Sequence, residues 1–141
     1  MRVSYAIFAV SAAMLALAPS AMAAPYSGNL GTATYQGVAK YTSDYSASWD
    51  DVACEKSANL PSLPKGNIAA LNLAQYGSEH SSSVNCGVVV QVTGPKGTVK
   101  VQIVDAVGGQ RKGDLVLSKD AFAKIGTLGN GIEKITWSVA P

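Results

Sequence analysis

From residue 67 onward the chain alternates apolar and polar positions with a period of two. Val88, Val90 and Val92 point one way, and Val99, Val101 and Ile103 do the same opposite Lys100 and Gln102. Gly94-Pro95-Lys96-Gly97 supplies a turn between these runs, so the pattern predicts a β-hairpin over residues 87–105 with one face buried. Ile68 to Leu71 forms a short buried run, Asn72 to Tyr76 reads as one helical turn, and Leu115-Val116-Leu117 is a further short strand. Ser118 can cap a helix that carries Asp120 in its first turn, buries Ala121, Phe122 and Ile125, and ends near Gly126. In the final strand Ile135, Trp137 and Val139 alternate with Thr136 and Ser138, which assigns Trp137 to the core. Earlier in the chain, Gly31-Thr-Ala-Thr-Tyr-Gln-Gly37 has the β-branched and aromatic content of a strand between glycines. Residues 39–66 are rich in Ser, Asp, Asn, Pro and Gly without a period and read as a long surface excursion. Five or six short strands with one real helix predict a small β-barrel.

The most apolar stretch lies outside this pattern. Arg2 precedes the run Ala6 to Leu17, and Ala21 and Ala23 form an Ala-x-Ala cleavage signature, which together read as a secretory signal peptide over residues 1–23. Its apolar core is about a dozen residues against the roughly 20 that a spanning helix requires, so no membrane attachment is expected after cleavage. The expected location is extracellular or periplasmic. Cleavage removes Arg2 alone among the charged residues and takes the formal charge from +2 to +1. In an oxidising compartment Cys54 and Cys86 are most simply one disulfide, closing a loop of about 30 residues and contributing about 3–4 kcal/mol in the chain-entropy model.

Composition excludes more than it proposes. Charged residues make up 14% of the chain and form no basic stripe, which argues against nucleic-acid binding. The cysteine spacing fits no zinc motif, and the single histidine, His80, sits in the polar run Ser78-Glu79-His80-Ser81-Ser82-Ser83, so neither a metal site nor a Cys–His nucleophile is expected. No phosphate-cradling loop, His-Glu-x-x-His or Gly-x-Ser-x-Gly occurs, and no cofactor is implied.

Several words in the chain, in order, are similar to the barrel domain of bacterial expansins and of rare lipoprotein A. They are Gly31-Thr-Ala-Thr-Tyr35, Ala70-Leu-Asn-Leu-Ala-Gln-Tyr76, Asn85-Cys-Gly87, Val92-Thr-Gly-Pro-Lys-Gly-Thr-Val99, Val101-Gln-Ile-Val-Asp105, Gly113-Asp-Leu-Val-Leu-Ser118, Ala121-Phe-Ala-Lys-Ile125 and Ile135-Thr-Trp137. The resemblance implies a mainly β fold, a six-stranded double-psi β-barrel with one or two short helices, over residues 31–141 after a lead-in at 24–30. Expansins normally add a C-terminal β-sandwich that binds cellulose; here Pro141 follows the last expected strand, so glycan affinity is expected from the barrel alone.

The resemblance also implies a polysaccharide groove. Thr34 matches the threonine that lines it, and Asp105 matches the aspartate at the end of the long strand. The principal acid of the family, second in Leu-Asp-Leu-Ser, is replaced by Val116, and valine cannot transfer a proton. Asp114 is displaced by two positions and reads as a turn cap or a solvent-facing group. Asp105 can equally be a strand-end carboxylate bonded to the backbone amides that follow it. Tyr35, Tyr41, Tyr45 and Trp49 are candidate stacking platforms for sugar rings, although Tyr41, Tyr45 and Trp49 recur every four residues and equally fit one face of a short helix. The expected function is that of a secreted, monomeric, non-hydrolytic binder of cell-wall polysaccharide, cellulose or peptidoglycan. A protease inhibitor or effector-type module that binds a secreted protein is the competing expectation, and a lytic transglycosylase is a distant third.

Overall fold

A computed structural model describes residues 26–43, 52–55, 66–77 and 83–141. The signal peptide expected at 1–23, most of the 39–66 excursion with Tyr45 and Trp49, and His80 lie outside the described residues. Among the described residues six strands are formed: β1 (Tyr35–Thr42), β2 (Ile68–Asn72), β3 (Val89–Gly94), β4 (Gly97–Val107), β5 (Leu115–Ser118) and β6 (Ile132–Val139). They close into a barrel in the order β1-β5-β2-β4-β3-β6, with β6 returning to β1. Two pairings are parallel, β1 with β5 and β2 with β4, and the rest are antiparallel. This is a mainly β, six-stranded double-psi barrel.

The period-two positions face inward as the pattern predicts. Val90, Val92, Val101, Ile103, Leu115, Leu117 and Trp137 are buried in one core, and that burial is the main favourable term in the fold. β1 runs further than expected, to Thr42, because the β5 ladder continues alongside it from Ala39 to Thr42. The helix α1 (Leu73–Tyr76) is one turn, capped by Asn72, whose Oδ1 accepts from Gln75 N at 3.0 Å. The helix α2 (Lys119–Ile125) starts on Ser118, whose Oγ accepts from Ala121 N at 3.3 Å, a cap of about 1 kcal/mol. Its apolar face, Ala121, Phe122 and Ile125, joins the barrel core. Leu30, just before the barrel, is also buried there.

β4 contains a bulge. Ala69 pairs with Ile103 but Ala70 pairs with Asp105, so Val104 is an extra residue on the β4 side. Its carbonyl accepts from Cys54 N at 3.0 Å, which fastens the 52–55 segment to the barrel. Cys54 and Cys86 are fully buried and joined by a disulfide across a separation of 32 residues. Tyr76 lies over this bond, its hydroxyl 3.5 Å from Cys54 Sγ and 3.3 Å from Cys86 Sγ. Burial, reinforced by the negative charge of Asp105, raises its pKa above 10.0.

Candidate functional site

The bulge decides where Asp105 points. Strict alternation from Val101 and Ile103 would turn it inward; one extra residue puts it outside, level with Ala70. Ala70 also pairs with Val116, and Val116 with Lys40, so Asp105, Ala70, Val116 and Lys40 form one lateral row on the outer face. Asp105 and Val116 are therefore two strands apart, about 9–10 Å. The Asp105 Oδ1 accepts from Ala53 N at 3.0 Å and Ala106 N at 2.9 Å, so this carboxylate holds the disulfide segment on the strand end. Val116 is half-buried between Ala70 and the exposed Lys40.

The other candidates are distributed differently. Thr34 precedes β1 and lies six residues from Lys40, about 20 Å along an extended chain. It borders a separate pocket of about 310 Å³ with Ser27, Gly31 and residues 138–141. Tyr35 packs its ring on Trp137 at a centroid distance of 4.6 Å, and its hydroxyl donates to Leu30 O at 2.8 Å. Tyr41 packs on Phe122 at 4.8 Å and donates to Leu128 O at 3.2 Å. Both rings are turned toward the core, because odd positions of β1 face inward.

A trough of about 870 Å³ runs along the outer face of β1, which sequence reasoning did not single out. Its floor is a row of polar side chains set by register: Thr93 pairs with Thr136, and Thr136 with Gln36. Thr93 Oγ1 lies 3.0 Å from Thr98 Oγ1, which extends the row to β4. One bank is β6, where Lys134 pairs with Val38; the other is the loop carrying Arg111 and Lys112. The alternation of Lys134, Thr136 and Ser138 opposite the apolar positions of β6 was the available signal for one bank only.

The loop is held by polar side chains from several elements. Asp114 is buried, and its carboxylate accepts from Val38 N at 2.9 Å and Arg111 N at 3.0 Å, a turn cap that also bridges to β1. Gly113 N donates to Gln75 Oε1 at 3.0 Å, Trp137 Nε1 donates to Gly113 O at 2.8 Å, and Asn72 Nδ2 donates to Asp114 O at 3.0 Å. Gly113 adopts φ +94°, and a Cβ there would lie 2.1 Å from Gln36 O; a Cβ on Gly37 would lie 2.3 Å from Gly113 O. Only two glycines permit this crossing of loop and strand. Among the described residues no cluster of three or more His, Cys, Asp or Glu could hold a metal ion.

Neither the comparison with protein-family models nor that with curated proteins returns a match. Solved structures do. The barrel is similar to an expansin of Clavibacter michiganensis solved with cellohexaose, at 29% identity and a TM-score of 0.60 over 77% of this chain and 51% of that one. The chain thus spans about half the length of the expansin it matches. A Streptomyces papain inhibitor shares the fold at 23% identity and a TM-score of 0.61, over 80% of this chain and 98% of the inhibitor. The fungal elicitor cerato-platanin also shares it, at 22% identity and a TM-score of 0.56 over 74% of this chain and 92% of that one. Closed topology, two parallel pairings and the expansin likeness agree: the chain is an expansin-like double-psi β-barrel.

Proposed function

We propose that this protein is exported and binds cell-wall polysaccharide without cleaving it. The observation that carries the reading is the chemistry of the outer row. By the resemblance to expansins Val116 stands where that family has its principal acid, and the acid in the same row, Asp105, lies about 9–10 Å away and is bonded to two backbone amides. Glycosidic cleavage needs a carboxylic acid within hydrogen-bond reach of the leaving oxygen. The trough on the outer face of β1 has a row of polar side chains, Gln36, Thr136 and Thr93, from three neighbouring strands and suits a chain laid across them. The expansin neighbour solved with cellohexaose and the buried Cys54–Cys86 disulfide are consistent with binding a glycan outside the reducing cytosol.

Co-sedimentation with insoluble cellulose and with peptidoglycan sacculi tests the reading. Retention on at least one, with no soluble sugar released, is expected; absence of retention on both at low salt overturns it. Release of anhydro-sugar products would restore an enzymatic role and direct attention to Asp105. Titration of papain separates the protein-binding alternative, since a stoichiometric inhibitor would abolish its activity at equimolar amounts.

A further inference from the structure

The trough carries a charge pattern that a neutral glucan would not use. Arg111 and Lys112 on one bank and Lys134 on the other are cationic, and none of them makes an ion pair among the described residues. Asp114, the only carboxylate lining the trough among the described residues, accepts from Val38 N and Arg111 N and is held against the loop. No aromatic ring lines the trough, so the stacking that favours uncharged sugars is absent from its described walls.

We propose that the trough binds an acidic polysaccharide, with Arg111, Lys112 and Lys134 pairing its carboxylates and the Thr93, Thr136 and Gln36 row receiving its hydroxyls. This rests on the polysaccharide-binding reading and names the chemical class of the ligand. The loop bearing Arg111 and Lys112 is fastened at Gly113 and Asp114 by bonds from Gln75, Trp137 and Asn72, so the two cations project from a fixed backbone. Such fixing lowers the ordering cost of binding. A guanidinium can take a carboxylate in a two-pronged pair, while the ammonium groups act as point charges. The floor residues recur at the strand spacing of about 4.8 Å, comparable to the length of one sugar ring, which favours a glycan over a peptide. A smaller pocket of about 220 Å³ shares Lys112 and is lined by Gln75, whose buried Nε2 donates to no group among the described residues. That donor adds to the excess of donors over acceptors.

The test is retention of the purified protein on polygalacturonate, on the same polymer fully methyl-esterified, on polyglutamate and on cellulose. Retention on polygalacturonate is expected to exceed that on the esterified form about tenfold and to be lost at about 0.5 M NaCl. The triple variant Arg111→Gln, Lys112→Gln, Lys134→Gln should lose about tenfold in binding with an unchanged melting curve, because all three side chains lie outside the core. Wild-type binding by that variant, or equal binding to the esterified polymer, overturns the proposal. Equal retention on polyglutamate overturns it in favour of an acidic peptide. Salt-independent binding to cellulose alone overturns it while leaving the polysaccharide reading intact, whereas no binding to any glycan removes both.

Discussion

Single atoms at two points of the barrel control more than their residue types suggest. Gly37 reads in sequence as the end of a strand, and only the fold reveals that a Cβ on it would meet the Gly113 carbonyl and that a Cβ on Gly113 would meet the Gln36 carbonyl. Gly37→Ala should therefore cost about 2–3 kcal/mol in urea unfolding through overpacking and backbone shift. Gly129→Ala, where a Cβ meets nothing within 4 Å, should stay within about 0.5 kcal/mol and serves as the control. Tyr76 gives a pH signature. Its pKa is raised above 10.0 by burial and then by Asp105, so the folded state holds the phenolic proton more tightly than the unfolded state. The resulting stability is fully present below the ordinary value and is lost as pH rises through the raised one. Comparing wild type with Tyr76→Phe from about pH 8 to about pH 11, wild type should lose stability relative to the variant only in the alkaline part of the range. A difference that stays flat across that range would refute the assignment.

Elements were legible wherever their signal is local. The hairpin from Val89 to Val107, the Ser118 cap, the Asn72 turn and the inward Trp137 follow from period, turn chemistry and caps within a few residues. The bulge at Val104 was not legible, because Val101, Gln102, Ile103, Val104 and Asp105 read as an unbroken strand; the extra residue is defined only by its partner Ala70. That bulge frees the Val104 carbonyl for Cys54 N and turns Asp105 toward Ala53 N, so strand irregularity and disulfide form one fastening. Removing the covalent part in Cys54→Ala/Cys86→Ala should lower unfolding free energy by about 3–4 kcal/mol for a loop of this size. The hydrogen bonds at Val104 and Asp105 should keep the native fold below its lowered melting point, as amide exchange at Cys54 and Ala53 of the single and double variants would check.

At the scale of the whole molecule, closure of the barrel sets which surfaces face each other. The chain by itself determined the barrel class, the order and burial face of most strands, the helix caps and the cysteine pair, because each depends on neighbouring residues or on identity at one position. Only the tertiary structure decided that Thr34 lies far from Val116, that Tyr35 and Tyr41 turn inward, and that Arg111, Lys112 and Lys134 flank β1 on opposite banks. The physical reason is register. Alternation fixes the face of a residue within its own strand, but lateral neighbours come from strands distant in sequence, and a single bulge or loop crossing reassigns them.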